Sequence, residues 1–167
     1  MPHKRASKWD DAGTVGENVR AQLPAVAGAY FRAGRKLLAG SPAPEDLHGF
    51  RLKTKRLRYT LELFRACYNG QLEQRLESLK DIQTLLGDLN DCAAAMRIAA
   101  ASLPAKSADR VKVERFLQAK SKRLTAAFNK HWKEQFDAPG QEDWWVGFLA
   151  RGKTRGGPRT KRRISRR

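Results

Sequence analysis

Residues 48–62 read HGFRLKTKRLRYTLE. A helix turns about 100° per residue, so with His48 at zero Arg51 falls at about −60°, Lys55 at about −20°, Arg58 at about −80° and Glu62 at about −40°. Phe50, Leu57 and Leu61, continued by Phe64 and Tyr68, cluster on another face. The two stripes lie about 130° apart, one suited to a core and one dense in cations. This segment is therefore read as a helix from Pro44 to Tyr68, with Glu45 and Asp46 in its first turn, where the helix dipole favours acids. Asn69-Gly70 ends it.

The same periodicity extends in both directions. Upstream, Leu23, Val26, Tyr30, Ala33 and Leu37 repeat at helical spacing between Thr14 and Ala39. Pro24 either kinks that helix or occupies the first turn of a second one. Gly40-Ser41-Pro42-Ala43-Pro44 is a break. Downstream, Leu72, Leu76, Leu79, Ile82, Leu86 and Leu89 give a helix over Gln71–Ser102. Gly87 inside it costs about 1 kcal/mol against alanine, for which close helix–helix contact is one reason. After Pro104, a fourth helix over Ser107–Phe136 turns Val113, Leu117, Leu124, Phe128 and Trp132 inward.

Asp137-Ala138-Pro139-Gly140 stops that helix, and Trp144, Trp145, Phe148 and Leu149 form a short apolar cluster. This cluster either docks on the bundle or serves as a contact patch. No strand alternation is present. The expected fold is all-α: an antiparallel bundle of about four long helices. The expected organisation is a flexible arm over residues 1–12, a helical domain over residues 13–150 and a disordered Arg/Lys-rich tail over residues 151–167.

The chain of 167 residues carries 34 Lys plus Arg against 17 Asp plus Glu, a formal net charge of +17. Nine of those cations and no acid lie in residues 151–167. The other 150 residues still hold 25 basic against 17 acidic side chains. Such a surplus speaks of anionic partners rather than of fold. No segment has the apolar length of a signal peptide core or a membrane span, which leads to the expectation of a cytoplasmic protein with no membrane partner. Cys67 and Cys92 have no metal-binding spacing and are read as reduced thiols.

Arg51, Lys53, Lys55, Arg56 and Arg58 are five cations in eight positions. Like charges at i and i+4 destabilise a helix by a few tenths of a kcal/mol each. An acidic neighbouring helix or a bound polyanion would offset that, and a merely solvated face is the plainer reading of any charge run. Lys80, Asp81, Asp88 and Asp91 on the next helix either pair with the row or extend beside it. As binding candidates we take His48, Arg51, Lys55, Arg56 and Arg58 first, Lys53 and Tyr59 at the margin, and Arg32, Arg35 and Lys36 as a widening of the patch. Arginine offers phosphate a planar fork, lysine a point charge, and histidine a donor that charges as pH falls.

The stretch LHGFRLKTKRLRYTLELF followed by LKDIQTLLGDLND resembles the CHAD domain, the conserved histidine α-helical domain. The positions that carry the resemblance are His48, Arg51, Lys55, Arg56, Leu57, Arg58, Tyr59 and Glu62, then Leu79, Gln83, Leu86, Gly87, Leu89, Asn90 and Asp91; Ile82 stands where the family often has leucine. The resemblance implies a helical domain that binds inorganic polyphosphate through basic helices, without catalysis. It also implies two such helical units per domain, and this sequence has one. Two chains pairing as a homodimer would rebuild the full domain, and association with polyphosphate granules follows as an expectation.

Nucleotide-binding, hydrolase and metalloprotease signatures are absent, and His3, His48 and His131 are scattered. No catalytic residue, metal site or cofactor is expected. Two competing readings remain at this point: non-specific nucleic-acid binding driven by residues 151–167, and a scaffold whose dimer face matters more than its charge.

Overall fold

A computed structural model describes residues 9–68 and 70–152. Five α-helices follow one another: α1 Val15–Leu38, α2 Pro44–Leu63, α3 Gln71–Ser102, α4 Ala108–His131 and α5 Gln141–Arg151. The described residues contain no strand, so the architecture is all-α. The expected arm before residue 9 and the tail after residue 152 lie outside the described residues. Residues 9–12, expected in the arm, are tied down: the Asp10 N–H donates to Asn18 Oδ1 at 2.7 Å, and Asn18 Nδ2 returns a bond to the Asp10 carbonyl at 2.8 Å.

α1 begins at a capping box. Thr14 Oγ1 accepts from the Glu17 N–H while the Glu17 carboxylate accepts from the Thr14 N–H, so two otherwise orphaned donors are satisfied. Pro24 neither breaks nor restarts it, and one helix runs through. Proline fixes φ in the helical range, and neighbours hold the helix across the one missing donor. At α2, Pro44 occupies the first turn and Asp46 Oδ2 accepts from the Ala43 N–H at 3.0 Å. α2 ends earlier than its apolar stripe suggests: Arg65–Cys67 tighten into a 3₁₀ turn. α4 likewise gives way to a π turn over Trp132–Phe136, which brings both of those aromatic rings inside.

α1, α2, α3 and α4 pack in chain order, each on the next, and α5 returns to lie on α1. Gly140, at φ 84°, makes the turn into α5 in a conformation that a side chain disfavours. This short helix is how the Trp144–Leu149 cluster docks: Trp145, Phe148 and Leu149 are buried.

The centre is aromatic. Trp132 stacks on Phe136 at 4.8 Å between centroids, Phe31 on Phe136 at 5.0 Å and Tyr30 on Phe50 at 5.0 Å. Each such ring contributes about 1.5–3 kcal/mol by leaving water, with pair geometry adding more. The buried Tyr30 hydroxyl shares a 2.9 Å hydrogen bond with Thr54 Oγ1, which in turn donates to the Phe50 carbonyl. Burial pushes the Tyr30 phenol well above its ordinary range, against a smaller lowering by Thr54. Gly34 carries no side chain because the Trp132 ring fills the place a Cβ would take.

The far end is thinner. Only Leu117 and Phe128 are buried along α4. Val113, expected inward, is 38% exposed. The reason is length. His48 pairs with Asn90, and α2 starts one turn before His48, so α3 outruns α2 from about residue 95 onward. Near that end α4 has only α3 to lie on.

Candidate functional site

The His48–Glu62 row does not point straight into solvent. It borders α3. On α3 the residues Gln83, Gly87 and Asn90 recur at spacings of four and three, so they form one face. That face meets the row from α2.

Each side chain of the seam is held differently. His48 Nδ1 lies 2.9 Å from Asn90 Oδ1. With the amide oxygen as acceptor, Nδ1 donates and Nε2 is left for another partner. Arg58 donates from Nε to Gln83 Oε1 at 3.0 Å and from Nη1 to Glu62 Oε1 at 2.6 Å. Its guanidinium also sits 4.7 Å above the Tyr59 ring centroid, and Lys55 Nζ approaches the same ring at 5.8 Å. Tyr59 is 48% exposed, so this aromatic lies between two cations on an open face. Arg51 is half-buried beside Gly87. Its Nε is shut from solvent and has no acceptor. Arg56 is exposed on the flank.

Among the described residues, Glu62 is the one carboxylate ion-paired to this row. Lys80 turns to Glu77 at 3.6 Å, and Asp81, Asp88 and Asp91 make no ion pair with the cations of α2. The acidic neighbouring helix that would offset the like charges is therefore not what the seam provides. His48, Arg51 and Lys55 are left with no carboxylate partner, and α3 offers them neutral amides and a bare glycine.

The other candidate residues lie elsewhere. Lys53 and Lys36 line a groove between α1 and α2 together with Glu45 and Asp46. Lys53 sits about 140° around α2 from His48, opposite the seam. Arg35 clamps α1 to the end of the chain: Nε and Nη2 grip Asp137 at 2.8 and 2.6 Å, and Nη1 reaches Glu142 at 2.7 Å. The hydrogen bonds it donates to Asp137 first, with Glu142 behind them, hold this guanidinium above its ordinary range. Arg32 Nη1 and Glu142 Oε1 approach the same point over Gly28. The structure thus brings together His48, Arg51, Lys55, Arg58 and Tyr59; Arg56 is exposed about 80° around α2 from His48. It does not add Arg32, Arg35, Lys36 or Lys53 to them.

The CHAD-domain family model matches residues 3–100 of the 167-residue chain. The chain belongs to the CHAD-domain family. No curated protein and no solved structure matches it.

In this CHAD domain the matched span covers α1, α2 and nearly all of α3, and so both sides of the seam. α4 and α5 lie beyond it. Gln83 and Asn90 belong to the motif by sequence, yet their part as holders of Arg58 and His48 needs the fold to be seen. Their spacing on one helix face was the available signal. Among the described residues, no group of three His, Cys, Asp or Glu side chains could hold a metal ion, and Cys67 and Cys92 are both free thiols. No described helix is long and apolar enough to cross a membrane.

Proposed function

We propose that this chain binds inorganic polyphosphate, without catalysis, along the seam where His48, Arg51, Lys55 and Arg58 of α2 border α3. The observation that supports it is the arrangement of the row in a CHAD-domain chain. Cationic side chains recur along about 15 Å of one helix edge, and one carboxylate, Glu62, is paired among them. A polyphosphate carries its charges in a line, which a line of cations matches better than a scattered surface does. Arginine grips phosphate oxygens in pairs and lysine adds a point charge. Tyr59 and Arg56 flank the line. Binding releases counterions, so affinity falls steeply with salt. The reading extends to two chains pairing as a homodimer, and to a cytoplasmic protein found with polyphosphate granules.

A second reading rests on the nine cations of residues 151–167, which no acid offsets. That segment suits nucleic acid without sequence preference.

The two are separated by measuring binding of long-chain polyphosphate and duplex DNA to the full chain at several salt concentrations. Arg51→Glu with Lys55→Glu is expected to weaken polyphosphate binding at least about a hundredfold, since each charge-assisted bond contributes about 1.5–3 kcal/mol. Replacing Arg162, Arg163, Arg166 and Arg167 with serine is expected to weaken DNA binding and leave polyphosphate binding largely intact. If polyphosphate binding survives the reversal on α2 and leaves with the tail arginines, the seam reading fails.

A further inference from the structure

A glycine in a helix interior is unfavourable, and close packing of a neighbouring backbone is its usual excuse. Gly87 has no such excuse. A Cβ there would meet one atom within 4 Å, the Nε of Arg51, at the ordinary contact distance of 3.9 Å. Gly34, by contrast, has a tryptophan ring where its Cβ would be. The atom nearest to the open side of Gly87 is also one of the few buried side-chain nitrogens with no hydrogen-bond acceptor. Buried donors are normally paired, and an unpaired one calls for a reason. Both oddities fall at one point of the seam. To either side of it, α3 fixes a side chain of the row: Asn90 holds His48, and Gln83 holds Arg58.

We propose that Gly87 and Arg51 form a seat for one phosphate group of the bound polyanion, a reading that rests on the polyphosphate proposal above. The bare backbone of Gly87 lets the Arg51 side chain turn across it, so that the Nε–H, shut from solvent in the free protein, comes to face a non-bridging phosphate oxygen. That oxygen becomes the acceptor the Nε–H lacks. His48 and Arg58, held by their amide partners on α3, take the neighbouring phosphates of the chain. Asn90 and Gln83 are positioning residues in this arrangement, and Gly87 sets how deeply the polyanion can sit.

Gly87→Ala tests the seat, because it adds a methyl group and changes no charge. Gly49→Ala is the matched control: it lies on α2 and its added Cβ meets nothing within 4 Å. Both variants are expected to melt higher than the wild type by about 2–4 °C. Gly87→Ala is expected to bind long-chain polyphosphate at least about tenfold more weakly at fixed salt, a loss of about 1.4 kcal/mol, while Gly49→Ala binds as the wild type does. If Gly87→Ala binds as tightly as the wild type, the seat is overturned and the polyphosphate reading stands. If Gly87→Ala melts lower, the glycine is a packing requirement and the seat is overturned as well. If the wild type fails to bind polyphosphate, the underlying reading falls and takes the seat with it.

Discussion

Arg75 is fully buried, with no carboxylate beside it. Its guanidinium lies 3.4 Å from the Trp144 ring centroid and 3.8 Å from that of Phe148, and donates to the carbonyls of Trp144 and Gln71. All 17 acids of the chain fall among the described residues, so no counter-charge is missing from view. Aromatic faces and carbonyl dipoles do what an acid would ordinarily do. Burial first, and Arg151 second, push this guanidinium down to about 10, which still leaves it charged at neutral pH. Arg75→Met keeps the stacked bulk and removes the buried charge, so it is expected to cost less than about 1 kcal/mol, whereas Arg75→Ala opens a cavity and costs about 3. Denaturant titrations check both. The sign of the pH effect follows from the lowered value: below about 10 both states are protonated and the burden is constant. Above that the folded state releases its proton first, so the wild type gains stability relative to Arg75→Met. The sequence held a hint of this. Arg75 stands between Leu72 and Leu79 in phase with the apolar stripe, but composition alone assigns an arginine to the surface. Arg35 left no hint at all, since its partners Asp137 and Glu142 are more than a hundred positions away.

Helix limits set by local chemistry were readable, and limits set by packing were not. α3 runs over the span its leucines mark, from the Asn69-Gly70 break to the approach of Pro104. α2 and α4 end short of their apolar stripes: a 3₁₀ turn precedes the buried Tyr68, and a π turn runs from the buried Trp132 to the buried Phe136. The helical wheel placed the basic row correctly relative to the core stripe on α2. It said nothing of α3 lying along the row's edge, since one helix's periodicity does not fix which neighbour covers which border. Glycine is where such contacts are decided most sharply. Gly34 lets α1 approach the π turn, and the Trp132 ring occupies the position its Cβ would take. Gly34→Ala gains the usual helix preference for alanine of about 1 kcal/mol but forces the ring to move, and overpacking of this kind costs about 3. The net expectation is a loss of about 2 kcal/mol, read as a Tm lowered by about 4–8 °C. Circular dichroism melts would show it, and an unchanged Tm would mean that Trp132 can be displaced without consequence. The opposite expectations for Gly34→Ala and Gly87→Ala make one experiment a control for the other.

Across the whole molecule, burial is uneven in a way that bears on assembly. α1 has eight buried residues in 24 positions, and α4 has two in the same length. Past the start of α2, the end of the α3–α4 pair keeps Ile98 65% exposed and Phe116 61% exposed, and Val113 lies one turn from Phe116. The pairing of two chains proposed above would find exposed apolar side chains for its contact at this end. If α4 supplies that contact, a second copy would cover Phe116 and Val113, and the two seams would belong to one assembly. Light scattering at micromolar concentration is then expected to give twice the 18.8 kDa chain mass. Phe116→Glu is expected to shift the mass toward the single chain, because an unpaired carboxylate inside an apolar contact carries a large desolvation penalty. It should leave the fold intact, since Phe116 is mostly in water already. If pairing completes the site, that variant also weakens polyphosphate binding although it lies on a helix that contributes no cation to the seam. A wild-type mass of one chain would remove the dimer from this account and leave a single seam to do the binding.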